Sequence, residues 1–427
     1  MSVSTPKDKL KTLLPLDAVV KRIRTLQSQG RYEEALDICL QIIRTHPQIP
    51  SGWNGAAISC LRLARWQDAI NYAQTALARG ANDFVPYDTL AHAHGMLGQW
   101  DEARRHGLQV LNMRDRLFGG EPPVIFLSEP GPMPPPLSAQ TRDHNIIAFS
   151  LFGHDSKYCE PAILNVQEQP NIYPHWVCRF YVDDSVPASV IDRLRKGGAQ
   201  IVQVQGHATQ WPGPMWRFLA LDNPQAHRIL FRDADSVISR REAHAVEQWL
   251  TSGKRFHMMR DNSACTELML AGQWGVVAGS LPPLQQLMER FMSAPLESRH
   301  FADQYFLRQY VWPYARASLM QHDSVFGFMN AVPFPDGDRP ENFSVGEAEG
   351  VEGLIPVKNP LPEGSEVTWA LYRIAEKLDN NQARVELVCS YTNTVRDGVV
   401  KAHIPKRYAS WIQQGAALVR VVGSHAA

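Results

Sequence analysis

The chain has 427 residues, more than the roughly 100–200 residues of an ordinary domain, so two or three domains are expected. Hydrophobic residues make up 44% and charged residues 20% of it, a composition typical of folded proteins that excludes a disordered chain. Lys and Arg together number 43, as do Asp and Glu, so no net charge attracts nucleic acid, and a nucleic-acid partner is not expected.

The six cysteines are scattered and none forms a C-x-x-C pair. Reduced core thiols are therefore expected, and neither a disulfide framework nor a zinc knuckle is indicated. No stretch has the roughly 20 apolar residues that a membrane span requires, and no apolar segment follows the first lysines as it would in a secretory signal. The expectation is a cytoplasmic protein with no membrane span.

A sequence pattern recurs through the first part of the chain. Gly-Arg-Tyr-Glu-Glu-Ala at residues 30–35 returns as Ala-Arg-Trp-Gln-Asp-Ala at 64–69 and as Gly-Gln-Trp-Asp-Glu-Ala at 98–103, a period of 34. Small residues let paired helices approach closely, and aromatic residues fill the space between repeats. The pattern resembles the tetratricopeptide repeat, which has this period. It predicts all-α helical repeats over residues 16–118.

Two functions are consistent with such repeats. They commonly present a concave surface to a protein partner. Three units are also near the minimum for independent stability, so the module alternatively serves only to support the rest of the chain. The sequence leaves both possibilities open.

Residues 119–143 are rich in proline and glycine and predict a linker. Short apolar runs then alternate with helical segments, which predicts a largely parallel sheet with helices on both faces. In such sheets ligands bind beyond the carboxyl ends of the strands. Strands are predicted at 145–151, 176–182, 201–204 and 228–231, with helices at 158–169, 187–197 and 214–223.

Two carboxylates follow the fourth predicted strand. Asp233 and Asp235 flank one alanine directly after the apolar residues 229–231. Carboxylate oxygens at a strand end suit Mg²⁺ or Mn²⁺, which often bridge a diphosphate. The alternative for an isolated D-x-D is a solvated turn or a helix cap.

Residues 145–335 resemble a GT-A type glycosyltransferase domain, and most closely glycosyltransferase family 8 and related bacterial enzymes. The resemblance rests on the D-x-D segment 231–236, the glycine-containing segment 271–276, the Asp303-Gln304 pair and the His322-Asp323 pair. No lysine follows His322 in 322–327, which departs from the family pattern. The predicted domains are thus a 144–335 nucleotide-sugar-binding α/β domain of the GT-A type and a 336–427 loop and accessory β-rich region.

The resemblance implies roles for the metal and for catalysis. Asp233 and Asp235 would bind Mn²⁺ or Mg²⁺, with His322 as third ligand. Asp303 would contact a sugar or acceptor hydroxyl, and Gln304 would lie near the anomeric carbon. Retention of configuration is inferred from the resemblance alone. If the enzyme instead inverts configuration, Asp261, which ends another apolar run, is the candidate general base.

The remaining predicted contacts are with the nucleotide-sugar donor. Asp233 would contact the diphosphate, and Arg217 occupies the region where relatives place a cation near the donor. Asp183 or Asp184, at the end of the second strand, would accept hydrogen bonds from the base or ribose. The other two predicted donor-binding residues are Ser150, at the end of the first strand, and Gly272, in the glycine-containing segment.

Several of these residues have a structural alternative. His322 fits a core or surface histidine, Asp303 a helix start, Arg217 a snorkelling side chain and Asp261 a solvated strand end. Three tryptophans suit sugar stacking or the core, namely Trp211, Trp216 and Trp274.

Two other functions remain open from the sequence. The chain could be a non-catalytic adaptor that binds partners through its repeats, with a degenerate transferase domain. It could also be a nucleotidyltransferase, although residues 150–153 contain a single glycine where a phosphate loop would have more. The leading hypothesis is sugar transfer from a nucleotide-sugar donor to a carbohydrate or protein acceptor.

Overall fold

The computed structural model describes residues 16–122, 131–296, 298–337, 343–355, 361–377 and 383–425. Parts of the predicted linker (123–130) and of the predicted C-terminal loop (338–342 and 356–360) lie outside these ranges. The chain forms two compact units. The first comprises Met1–Gly120, Asp261–Leu268 and Asp323–Pro333, and the second comprises Glu121–Arg260, Met269–His322 and Phe334–Ala427.

The described residues of the first unit lie mainly in six helices. Each repeat places a short residue in the core, because Ala35, Ala69 and Ala103 are fully buried. The predicted helical repeats are therefore present, with aromatic residues at the helix starts. The helices are α1 (Leu16–Ser28), α2 (Tyr32–Thr45), α3 (Pro50–Arg62), α4 (Trp66–Ala78), α5 (Val85–Met96) and α6 (Trp100–Phe118).

The tight turn within each helix pair explains one repeated position. Gly30, Ala64 and Gly98 have φ values of +75°, +56° and +71°, a left-handed conformation that glycine adopts without strain. In the middle turn, the Arg65 amide donates to the Cys60 carbonyl oxygen at 2.9 Å, which closes the helix end. Ala64 adopts the same left-handed conformation as the two glycines, but its Cβ atom makes that conformation strained.

Buried polar contacts hold residues 261–268 within the first unit. The Arg114 guanidinium on α6 is 5% exposed and donates to the Thr266 carbonyl oxygen at 2.5 Å and to Asp88 Oδ2 at 2.9 Å. It also lies 3.2 Å from Glu267 Oε1. The sequence analysis assigned these residues to the 144–335 region, since contacts between distant segments leave no local pattern.

The second unit alternates strands and helices over its first half. Before the first strand, Ser138 caps a 3₁₀ helix at Ala139–His144. The strands are β1 (Asn145–Leu151), β2 (Val177–Val182), β3 (Gln200–Gln203), β4 (Arg228–Phe231), β5 (Phe256–Arg260), β6 (Trp274–Val277) and β7 (Leu319–Asp323). The α-helices are α7 (Ser156–Ile172), α8 (Ala188–Lys196), α9 (Arg240–Thr251), α10 (Leu284–Met292), α11 (Ala302–Phe306) and α12 (Trp312–Ala315). The predicted helix 214–223 is a 3₁₀ helix, Gly213–Asp222, and a 3₁₀ turn spans Gly206–Gln210.

The sheet of this unit has the strand order β3-β2-β1-β4-β6-β5-β7. β1 pairs in parallel with β2 and β4, and β2 pairs in parallel with β3. β6 runs antiparallel to both β4 and β5. The predicted parallel-rich α/β region is therefore confirmed, and the carboxyl ends of β1 and β4 lie side by side.

The C-terminal part is β-rich, as predicted. β9 (Glu366–Lys377) pairs antiparallel with β10 (Ala383–Thr394) and β12 (Ala417–His425), and β8 (Gly350–Leu354) pairs with β11 (Lys401–Pro405). The remaining helix, α13, spans Lys406–Gln413. Among the described residues, no helix is both long and apolar enough to cross a bilayer.

A buried carboxylate joins this β-rich part to the first half of the second unit. Glu160, on α7, is fully buried. It accepts hydrogen bonds from the Tyr391 hydroxyl at 2.6 Å, the Tyr408 hydroxyl at 3.1 Å and the Arg193 guanidinium at 2.5 Å and 2.8 Å. β10 and α13 are thereby held against α7 and α8.

Candidate functional site

A cavity of about 310 Å³ opens at the carboxyl ends of β1 and β4. This is the position at which parallel sheets of this kind bind ligands. Six of the predicted site residues line it, namely Ser150, Arg217, Asp233, Asp235, Asp303 and Gln304. The cavity is therefore the candidate functional site.

The Arg217 guanidinium connects two of the carboxylates. It is 3% exposed and donates to Asp233 Oδ1 at 2.5 Å and to Asp303 Oδ2 at 2.7 Å. The same side chain donates to the Arg232 carbonyl oxygen at 2.8 Å. These contacts show why an arginine stands on the 3₁₀ helix Gly213–Asp222, since a planar guanidinium can serve several acceptors at once. Arg217 is therefore a buried ion-pair partner, and the alternative of a side chain that extends its charged group into solvent is wrong.

Asp233 is held closely against the segment that follows β5. A Cβ atom added to Gly272 would lie 1.9 Å from Asp233 Oδ2, so any larger residue here would displace the Asp233 carboxylate. Gly272 is absent from the cavity wall. The predicted donor contact of Gly272 is thus replaced by a steric role in which it leaves room for the Asp233 carboxylate.

The Asp235 carboxylate has no hydrogen-bond or ion-pair partner among the described residues, although it is only partly exposed. Burial, and secondarily the neighbouring Asp233, raises the pKa of Asp235 above its usual range. A half-buried carboxylate beside a second carboxylate is costly unless a cation offsets the charge. Because Asp235 lines the cavity, its carboxylate is available to a cation.

Asp303 and Gln304 lie on α11. Burial raises the pKa of the Asp303 carboxyl, while the Arg217 guanidinium opposes that rise. Oriented to satisfy both of its amide atoms, Gln304 donates to the Met269 carbonyl oxygen at 2.7 Å and accepts from the Ala271 amide at 3.0 Å. Its amide therefore positions the 269–271 segment, which differs from the predicted contact at an anomeric carbon.

Ser150 also has a structural role. Its hydroxyl donates to the Pro214 carbonyl oxygen at 3.1 Å and accepts from the Arg217 amide at 2.8 Å. The end of β1 is thereby tied to the 3₁₀ helix that presents Arg217. Ser150 still lines the cavity, as predicted for a residue at this strand end.

Asp183 and Asp184 lie at the end of β2 and are absent from the cavity wall. Asp183 Oδ1 accepts from the Ser185 amide at 3.1 Å, which forms a local turn. Asp184 Oδ1 accepts from Gln203 Nε2 at 2.8 Å. Because β2 neighbours β1, both carboxylates belong to the same sheet edge as the cavity.

The structure does not bring His322 to the carboxylates. It lies on β7, and β5 and β6 separate that strand from β4. His322 is fully buried, with Nδ1 at 2.9 Å from His257 Nε2 and its other ring nitrogen at 3.0 Å from Gln248 Oε1. Both ring nitrogens are thus engaged, and the prediction of a third metal ligand is replaced by the core-histidine alternative.

Asp261 is likewise corrected. It follows β5, which β6 separates from β4, and it is fully buried and absent from the cavity wall. It is therefore not among the residues that the structure brings to the cavity. The solvated strand end that was its alternative is also excluded by its burial.

None of the three tryptophans considered for sugar stacking lines the cavity. Trp274 and Trp216 are buried core residues, whereas Trp211 is partly exposed but absent from the cavity wall. Six further residues line the cavity without belonging to a predicted motif, namely Leu151, Phe152, Tyr158, Pro214, His300 and Phe301. Ala234 and Ala271, from the D-x-D and glycine-containing segments, line it as well.

The charge balance of the cavity suits a divalent cation. Three carboxylates and one guanidinium, from Asp233, Asp235, Asp303 and Arg217, sum to a formal charge of −2. Oxygen donors are those that Mg²⁺ and Mn²⁺ prefer. Asp233 and Asp235 are the residues whose carboxylate oxygens fit such an ion.

Several solved structures resemble parts of this chain. The first TPR domain of the human RPAP3 protein is 22% identical over 22% of this chain and 75% of that chain, with a TM-score of 0.22. A mutant of the Thermobaculum terrenum O-GlcNAc transferase is 13% identical over 66% of this chain and 60% of that chain, at 0.29. The 4-diphosphocytidyl-2C-methyl-D-erythritol synthase from Anaerococcus prevotii is 10% identical over 45% and 94%, at 0.28.

At these TM-scores the likenesses do not establish a shared fold, and this chain spans less than two thirds of the O-GlcNAc transferase chain. No curated protein matches the chain. A family model does match: residues 87–123 fit the tetratricopeptide repeat. The match covers α5 and α6 and agrees with the repeat predicted from the 34-residue period.

Proposed function

We propose that the second unit is a GT-A type glycosyltransferase that moves a sugar from a nucleotide-sugar donor to a carbohydrate or protein acceptor. The observation that supports this most directly is the partnerless Asp235 carboxylate beside Asp233, in a cavity at the carboxyl ends of β1 and β4. A divalent cation is the ligand whose charge fits this pair, and such an ion commonly keeps coordination positions for substrate phosphates.

Asp233 and Asp235 would hold Mn²⁺ or Mg²⁺ together with the donor diphosphate. The chemistry that such an ion supplies is neutralisation of the charge that develops on the departing nucleoside diphosphate. Asp233 Oδ1 is already committed to Arg217, so its other oxygen and the Asp235 carboxylate are the atoms left for an ion.

The residues of the chain position the reactants. Arg217 pairs with both Asp233 and Asp303. It therefore fixes the distance between the carboxylate proposed to bind the metal, Asp233, and the one proposed to contact a sugar hydroxyl, Asp303. Phe152 and Phe301 are 40% and 47% exposed at the cavity, where aromatic faces suit a base or a sugar. Asp183 and Asp184 remain the proposed partners of the base or ribose.

The stereochemical outcome that we propose is retention. Inversion requires a general base positioned to deprotonate the acceptor. Asp261, the residue considered for that role, is fully buried and is not among the residues that line the cavity. The acidic residues that line the cavity are Asp233, Asp235 and Asp303. They are already assigned to the metal ion, to the Arg217 guanidinium and to the sugar.

We further propose that the tetratricopeptide repeats bind a protein partner or the acceptor, as such repeats commonly do. This function is compatible with catalysis by the second unit. If the transferase domain were degenerate, partner binding by the repeats would be the protein's only function.

The test is a thermal-shift screen of the full chain against nucleotide sugars, with and without Mn²⁺. We expect a Mn²⁺-dependent rise in Tm for one nucleotide class, because a ligand that binds only the folded state stabilises it. Asp233→Asn and Asp235→Asn should abolish the rise and the transfer of radiolabelled sugar. Asp192→Asn, on exposed α8, is the matched control.

Full transfer activity in both site variants would refute the proposal. Pyrophosphate release from a nucleoside triphosphate and a sugar phosphate would support nucleotidyl transfer instead. A protein partner captured through residues 16–118, with no donor shift at all, would support the adaptor.

A further inference from the structure

The third helical repeat contains three metal-ligating side chains that the proposed transferase function does not use. His94 lies near the end of α5, and Glu102 and His106 lie one turn apart at the start of α6. One ligand atom from each of the three lies within 4.8 Å of the others. No other group of three such side chains meets this criterion in the described part of the chain.

The orientation of His94 is the second observation. Its Nδ1 lies 2.5 Å from Gln99 Oε1, an acceptor on the turn between the helices. An amide oxygen can only accept, so Nδ1 bears the proton and Nε2 keeps its lone pair. Nε2 is buried and has no hydrogen-bond partner, and the residue is 7% exposed. A hydrogen bond of this type at one ring nitrogen is how proteins orient histidine for a metal at the other.

The other two ligands face the same point. His106 is 7% exposed, and its Nε2 lies 3.6 Å from Glu102 Oε2. The rings of His94 and His106 stack with centroids 5.6 Å apart. Ligand atoms around a tetrahedral zinc ion lie about 3.3 Å apart, given Zn–N and Zn–O distances of about 2.0–2.2 Å. Small side-chain rotations would therefore close the site.

We propose that His94, Glu102 and His106 bind one Zn²⁺ ion that cross-links α5 and α6, with water as the fourth ligand. Two imidazoles and one carboxylate are a donor set that Zn²⁺ accepts. The ion satisfies the lone pair of His94 that the protein leaves unpaired. It is distinct from the hard cation proposed at Asp233 and Asp235, whose ligands are all oxygen.

A surface arginine competes for the same position. Arg105 Nη2 contacts Glu102 Oε2 and lies 3.2 Å from His106 Nε2. Its side chain is 67% exposed, so it can turn into solvent when the ion binds. The guanidinium thus marks the place of a cation and weakens zinc binding by competition.

Equilibrium dialysis of the full chain against Zn²⁺ tests the site. The Asp233→Asn and Asp235→Asn double variant serves as background, which separates this site from the proposed donor site. We expect one Zn²⁺ per chain with micromolar or tighter affinity, and a rise in Tm. His94→Gln and His106→Gln should each lose the bound ion, and Glu102→Gln should weaken it at least tenfold.

Two further variants keep the test independent of folding defects. Arg105→Gln should bind Zn²⁺ several-fold more tightly, an opposite change that damage to the fold would not produce. His46→Gln, at the half-buried end of α2, should leave binding unchanged. No stoichiometric Zn²⁺ in the background variant, or stoichiometric Zn²⁺ retained by His94→Gln, would overturn the proposal, whatever the outcome of the donor screen.

Discussion

Arg217 Nη2 donates to Asp303 Oδ2 at 2.7 Å, and both side chains are at most 9% exposed. The two residues are 86 positions apart in the chain, and their pairing joins the 3₁₀ helix beside β1 to α11. Breaking a buried ion pair from one side leaves an uncompensated charge. This relationship makes the cavity a unit whose parts are energetically coupled.

Replacing Arg217 tests that coupling. Arg217→Gln should lower the free energy of unfolding by about 3 kcal/mol, because Asp303 would remain buried without its partner. Adding Asp303→Asn should cost less than the sum of the two single changes, since the uncompensated charge is removed. Urea denaturation of the four proteins measures the difference. Additive effects would contradict the coupling, and Arg179→Gln, which loses a partly exposed contact with Gln200, is the control.

Gly272 offers a test of how precisely Asp233 must be placed. In Gly272→Ala the new methyl group would lie 1.9 Å from Asp233 Oδ2 and displace the carboxylate. A misplacement of about 1 Å at a reacting site can cost about 100-fold in rate, so we expect a loss of that order in Mn²⁺-dependent transfer. Gly353→Ala is the matched control, because no heavy atom lies within 4 Å of a Cβ there. Equal activities of the two variants would refute the role of Gly272.

The helical repeats contain a built-in comparison at one turn position. Ala64→Gly should raise the free energy of unfolding by about 0.5–1 kcal/mol, because alanine at φ +56° is strained and glycine is not. Gly98→Ala, at the equivalent turn, should lower it by about 1 kcal/mol. Thermal denaturation followed by circular dichroism at 222 nm measures both. Changes of the same sign in the two variants would contradict this explanation.

The buried His257–His322 pair predicts a specific acid sensitivity. Burial lowers the pKa of His322 to about 4, against about 6.5 in the unfolded chain. The unfolded state therefore binds more protons between these values, and stability falls as the pH decreases from 6.5 towards 4. At pH 5 this residue should cost about 2 kcal/mol relative to neutral pH.

Urea denaturation at pH 7 and pH 5 checks that acid sensitivity. His322→Gln should reduce the loss of stability between the two pH values, because the titrating group is gone. His46→Gln, at the half-buried end of α2, is the control. An unchanged dependence in His322→Gln would show that other groups cause it.

Glu160 determines whether the C-terminal β-rich part stays attached. Glu160→Gln should destabilise the protein by at most about 3 kcal/mol, because the partly buried Arg193 guanidinium loses its counter-charge. Tyr408→Phe, which removes one of the two phenolic hydrogen bonds, should cost about 1 kcal/mol. Limited proteolysis followed by mass spectrometry should show earlier cleavage within residues 343–425 for Glu160→Gln. Cleavage that begins in the helical repeats instead would contradict this role.

Local patterns were sufficient for most of the secondary structure. The 34-residue period predicted the helical repeats, because each repeat buries the same small and aromatic positions. The apolar runs at 145–151 and 228–231 became β1 and β4 with those bounds. Placing Asp233 and Asp235 at a cavity also needed only local information, since a buried strand must end at a sheet edge.

Sheet order and long-range contacts decided the rest. Asp261 and His322 each follow or end an apolar run much as Asp233 does, but β5 and β7 are separated from β4 in the sheet, so neither residue reaches the cavity. Arg217 pairs with two carboxylates only because the fold brings together the 3₁₀ helix that contains it, the end of β4 and α11. Sequence periodicity encodes which face of an element is buried, whereas strand order and side-chain partners arise from packing between segments far apart in the chain.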